Sequence, residues 1–142
     1  MCCLNRPFDD QSQTRIHLEA EAVLVIIARL DDAEWEWVSS KAVEFEIDHT
    51  PDPERRTRVR LLCSGATTVV PVGPSVRARA ERLAALGFGP VDALHVACAE
   101  AGGADVPLTT DRQFLGAVMR AADLIAVRVA NPLPWIEEVT AQ

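Results

Sequence analysis

The sequence predicts an α/β fold in three α/β/α layers, with a central, mostly parallel sheet covered by helices on both faces. Two observations predict it. Segments of helical periodicity alternate with short β-branched or alternating runs through most of the chain, as in strands joined by helical crossovers. No repeat, linker or low-complexity tract breaks that alternation, so the 142 residues are expected to form one domain, 1–142. A chain of this size buries about 68–70% of its unfolded surface, enough for a core.

In chain order, MCCLNRPFDD crowds turn formers and helix-starting residues behind two cysteines and reads as the exit from a strand. From Asp10 to about Leu30, Ile16, Ala20, Val23, Ile27 and Leu30 recur at helical spacing, with Asp9 and Asp10 placed as cap and first-turn acid. EWEWVSS alternates with a period of two and suggests a strand ending at Ser39 and Ser40. Lys41 to about Asp48 is a short helix broken by Pro51 and Pro53, and a helix restarts at Pro53 and ends near Gly65. TTVVPV at 67–72 is a strand that Pro71 pushes toward an edge. Helices follow from Pro74 to Gly87 and from Pro90 to Gly102. VPLTT at 106–110 reads as a strand, DRQFLGAVMRA as a helix, LIAVRVAN as a strand and PWIEEV as a last helical turn.

Composition narrows the function. Apolar residues at 49% and charged residues at 25% are ordinary for a folded domain. No apolar run approaches the roughly 18 residues of a membrane span, and the N-terminus carries no apolar signal region, so a cytoplasmic protein without membrane contact is expected. Cys2, Cys3, Cys63 and Cys98 show no CxxC spacing, which suits a reducing compartment. The net charge of -7 opposes nucleic-acid binding through a basic face. Binding to RNA or DNA then needs arginine clusters, 13 of the 14 basic residues being Arg, or divalent ions held by carboxylates. GxSxG, GxGxxG and P-loop motifs are absent, which removes nucleophile-elbow hydrolases and nucleotide cradles.

In an open parallel sheet, chemistry gathers beyond the carboxyl ends of the strands. Asp111 follows VPLTT directly and emerges there, although capping of the next helix explains it equally well. Asp92 lies in the first turn of a helix that is apolar nearly all round, where an acid is costly unless paired or bound to a cation. In KAVEFEID, at about 100° per residue, Glu46 falls inside the arc of Ala42, Val43 and Ile47, whereas Glu44 faces the polar side. His95, one turn after Asp92, reads as a packed histidine or a ligand. Arg55, Arg56, Arg58 and Arg60 read as a solvated face or as phosphate contacts, and Trp35 and Trp37 as core or as base-stacking rings.

CLNRPFDDQ at 3–11, SSKAVEFEI at 39–47, GFGPVDALHVACAE at 87–100 and VPLTTDRQFL at 106–115 together resemble the motifs of PIN-domain proteins, and VRVANPLPWIEE resembles the tail of a bacterial, VapC toxin-like branch of that family. The resemblance implies a metal-dependent endoribonuclease fold related to the toxin half of VapBC-type toxin-antitoxin pairs. It implies an RNA substrate, an antitoxin partner, a homodimer, and a quartet of acids around Mg²⁺ or Mn²⁺. Glu46, Asp92 and Asp111 match three of those acids, as both catalytic and metal-binding residues. The family's first acid ends a central strand ahead of the match to Cys3 and Leu4. That strand is expected to be missing here, which leaves the chain impaired as a nuclease or reduced to an inactive RNA- or protein-binding module.

Overall fold

The computed structural model describes residues 2–141. Two short strands, β1 (Val38–Ser40) and β2 (Thr68–Val70), pair in parallel with Val38 opposite Thr68 and Ser40 opposite Val70. Around them lie α1 (Cys2–Asn5), α2 (Thr14–Asp31), α3 (Lys41–Asp48), α4 (Pro53–Cys63), α5 (Pro74–Ala84), α6 (Pro90–Ala101), α7 (Arg112–Arg120) and α8 (Pro132–Thr140). The fold is α/β, rich in helix around a small parallel sheet.

Local chemistry sets most helix starts. Pro53, Pro74, Pro90 and Pro132 each open a helix, where the missing N–H costs nothing. Side-chain oxygens of Ser40, Asp52, Asp111 and Asn131 accept from the first free N–H groups of α3, α4, α7 and α8. The largest core joins Leu83 of α5, Ala93, Val96 and Ala97 of α6, and Phe114 and Val118 of α7 to Val70 of β2. Leu4, Ile47 and Val59 form a second cluster, and Ala22, Ile26 and Ile136 a third, on which Trp35 tilts against Trp135 at 5.0 Å. Gly102, which closes α6, has no room for a side chain: a Cβ there would meet Val70 Cγ2 at 2.6 Å and Val38 Cγ1 at 3.0 Å.

Several expectations are corrected. The segment read as the exit from a strand is helical, α1 followed by a 3-10 turn at Arg6–Phe8. The first long helix starts at Thr14 rather than Asp10, because Asp10 Oδ1 accepts from Ser12 N at 2.9 Å and closes a turn, while Asp9 pairs with Arg6 and Arg55. Of EWEWVSS only Val38–Ser40 pairs as a strand. The runs at 106–110 and 124–131 meet in a single parallel bridge, Leu108 with Ala130. The reason lies in two prolines: lengthening the ladder on either side of the bridge would need N–H donors at Pro107 and Pro132, which have none. Arg79 donates to Leu124 O at 2.8 Å, and Ala126 N donates to Glu100 Oε2 at 2.8 Å. The closing PWIEEV turn is part of the nine-residue α8.

Arg79 also donates to both carboxylate oxygens of Glu100, at 2.8 and 3.1 Å, and this pairing holds the Glu100 carboxyl below its ordinary range against the opposing effect of burial. A depressed carboxyl contributes stability that is fully present above its unfolded pKa and is lost as pH falls through its folded value. Glu100→Gln is therefore expected to destabilise the protein at neutral pH by about 1–3 kcal/mol and to flatten the acid limb of its stability profile. Urea unfolding between neutral and acid pH checks both.

Candidate functional site

Two cavities, each of about 610 Å³, meet at Glu46 and Asp111. The first is polar and open between the 3-10 turn and α3, lined by Arg6, Asp9, Glu46, His49, Arg55 and Asp111 among others. The second is a longer, largely apolar slot. Its walls are β1 on one side and Val106–Thr109 on the other, with Ile26, Ile27 and Leu30 of α2 and Cys98 and Ala99 of α6 completing it. Glu46, Asp92 and Asp111 all line this slot.

Each acid is placed by its own element. The hydroxyl of Ser40, accepting from Val43 N at 3.2 Å, starts α3 directly after β1 and carries Glu46 round to the cavity. Asp92 sits in the first turn of α6, beside Gly89 at its N-cap. Asp111 caps α7, its Oδ1 accepting from Gln113 N at 2.9 Å and Phe114 N at 3.2 Å, and it also lines both cavities. His95, one turn beyond Asp92, bonds through Nε2 to Glu46 Oε1. Burial pushes the Glu46 carboxyl up, but the hydrogen bond and charge of His95 outweigh it and leave Glu46 below its usual value.

Oxygen donors of this kind suit a hard divalent cation. Among the described residues, however, no three His, Cys, Asp or Glu side chains stand close enough to hold an ion together. The remaining candidates divide. Trp35 and Trp37 pack in apolar clusters. Arg58 and Arg60 pair on the surface with Glu54 and Asp48. Arg55 reaches the first cavity, bonded to Asp9 Oδ1 at 2.8 Å and Phe8 O at 2.7 Å.

The sequence matches the PIN domain family over residues 5–117, well over half of the chain. The chain belongs to the PIN domain family. PIN domains are in general nucleases that act on RNA and use divalent metal, so at the level of the family this chain carries a ribonuclease-type function. No curated protein and no solved structure matches it. Among the described residues of this PIN domain, no helix is long and apolar enough to cross a membrane.

Sequence reasoning passed over Glu19, which lies within the apolar stripe of α2 as Glu46 does in α3. Glu19 is 1% exposed. Its Oε1 faces Arg6 Nε at 3.1 Å and Arg15 Nε at 3.4 Å, and its Oε2 accepts from Asn131 Nδ2 at 2.6 Å. Arg6 continues to Asp9 Oδ2 at 3.0 Å, and Asp9 to Arg55, so the wall of the first cavity is tied to the interior. Glu19→Ala leaves Arg6 and Asn131 without that acceptor and is expected to cost about 3–5 kcal/mol, measured by chemical unfolding.

Proposed function

We propose that this PIN domain is a divalent-metal-dependent endoribonuclease of the VapC toxin-like branch, with Glu46, Asp92 and Asp111 as its working acids. The observation that carries the reading is that three acids from separate parts of the chain line one cavity. Among the described residues they do not stand within reach of a single ion in this arrangement, so binding one would require the three carboxylates to draw closer. Glu46, Asp92 and Asp111 are the groups that would hold Mg²⁺ or Mn²⁺, which accept a few carboxylates and retain water. Such an ion, when bound, activates water and offsets charge on the phosphate. The protein's own contribution is positional. Asp111 is held by the two N–H groups it caps, which occupy Oδ1 alone. His95 bonds to Glu46 and, against the effect of burial, holds its carboxyl below its usual range.

The slot between β1 and Val106–Thr109 has largely apolar sides, with the strand β1 along one flank and the segment of the Leu108–Ala130 bridge along the other. We propose that it seats an additional extended segment, an apolar strand that ends in an aspartate and supplies the fourth acid. An antitoxin and a second copy of the chain are the proposed protein partners, and the exposed Leu18, Leu24 and Val25 of α2 offer them apolar surface. A second reading, an RNA- or protein-binding module that does not cleave, is favoured by one observation: Glu46 is already engaged by His95.

If the nuclease reading holds, Mg²⁺ or Mn²⁺ raises the Tm by several degrees through preferential binding to the folded state. Asp92→Asn or Asp111→Asn abolishes that shift; Asn still caps α7, so the second variant removes charge and not the cap. Cleavage of single-stranded RNA should follow the same ion dependence. Placing an apolar strand ending in Asp ahead of Met1 should raise both stability and cleavage, and the same strand ending in Asn should raise stability alone. An unchanged Tm with metal, together with RNA binding without cleavage in either form, would establish the binding module instead.

A further inference from the structure

We propose that the slot is a binding site for a linear aliphatic diamine, its methylene chain along the apolar walls and an ammonium group at each acidic end. This goes beyond the ribonuclease reading and does not rest on it. Each wall of the slot begins and ends on an acid. Glu36 stands ahead of β1, which leads through α3 to Glu46, and Asp105 stands ahead of Val106–Thr109, which leads to Asp111. Glu46 and Asp111 also line the first cavity, so both walls run toward it and leave Glu36 and Asp105 at the far end. Asp92, one turn before the His95 that bonds to Glu46, belongs to the near end. The walls between are largely apolar, with Ile26, Ile27, Leu30 and Trp37 among them. Among the described residues, five carboxylates and His95 line the slot, and no arginine or lysine does.

The charge of the lining decides what such a cavity takes. A largely apolar cavity of about 610 Å³ suits a small organic molecule. Carboxylates, phosphates and other anions meet like charge from its acids, so repulsion and desolvation both oppose their entry. A single divalent ion serves one end at most, because no three of these side chains converge among the described residues. A flexible chain with a cation at each end meets both groups of acids at once, and every methylene it buries adds to its affinity. Asp111 follows Asp105 by six residues, about 20 Å at full extension, so a long diamine reaches across and a short one leaves one end unpaired. An extended segment seated in the slot fills the same volume, so segment and diamine exclude one another.

Trp35, Trp37 and Trp135 are the three tryptophans of the chain and all line the slot, so intrinsic fluorescence reports its occupancy. The 142-residue protein is titrated, without RNA or metal, with 1,12-diaminododecane, 1,4-diaminobutane, dodecanedioate and dodecylamine, the last below its micelle concentration. Saturable binding is expected for 1,12-diaminododecane, at least about tenfold weaker binding for 1,4-diaminobutane, weaker binding for dodecylamine, and none for dodecanedioate. Glu36→Gln combined with Asp105→Asn should weaken 1,12-diaminododecane about tenfold and leave dodecylamine nearly unchanged. Both residues are exposed and stand apart from the proposed working acids, so this variant should keep its circular dichroism and any RNA cleavage. The comparisons among ligands decide the question even if it does not fold. No saturable change with 1,12-diaminododecane, similar binding of dodecanedioate, equal affinity for dodecylamine, or unchanged affinity in the folded double variant each overturns the site. Cleavage of RNA is assayed separately. Diamine binding of the expected pattern in a protein that never cleaves upholds the site and removes the nuclease reading, whereas cleavage without diamine binding removes the site alone.

Discussion

The buried carboxylate of Glu19 constrains the arrangement of everything around it. An ionised acid out of water is strongly unfavourable unless charged and hydrogen-bonding partners surround it. Here they come from distant parts of the chain: Arg6 near the start, Arg15 one turn earlier on α2, and Asn131 at the mouth of α8. Asn131 serves two ends at once, its amide donating to Glu19 and its carbonyl oxygen capping α8. From Arg6 the chain of pairs runs through Asp9 to Arg55 on α4, so the polar wall of the first cavity is braced from the interior.

The acids at the second cavity are held differently. Asp111 is fixed by backbone N–H groups of its own helix, and Glu46 by a ring from another helix. The cap ties the Asp111 carboxylate to the start of its own helix. Glu46 instead depends on a histidine of α6, with which anything else approaching that oxygen would have to compete. The polar cavity and the apolar slot thus share two acids that are held in unequal ways.

Helices were legible because their signals are local. Proline at the first position marks α4, α5 and α6, and the Asp111 cap marks α7, within a few residues, whereas Asn131, which caps α8, reads in the sequence as the end of a strand. The strand-like runs at 106–110 and 124–131 were not, because a ladder needs donors on both runs, and Pro107 and Pro132 on either side of the one bridge have none. Glu46 could be singled out because an acid inside an apolar arc needs an explanation. The same criterion applies to Glu19. Its ligands, like the His95 that meets Glu46 across 49 residues, carry no mark in the sequence because tertiary pairing between helices leaves no periodicity.

Ser40 caps α3 and thereby fixes the angular phase of every residue after it. Successive residues turn by about 100°, so the bearings of Phe45, Glu46 and Ile47 are distinct: outward, into the cavity, and into the core. One residue inserted between Ser40 and Phe45 would advance each by a single step. The phenyl ring would swing to where the carboxylate now meets His95, and the carboxylate would be driven into the apolar pocket that Ile47 fills. The hydroxyl of a serine on a three-residue strand thus acts as the index mark of a dial, and the chemistry of the cavity depends on the count that starts there.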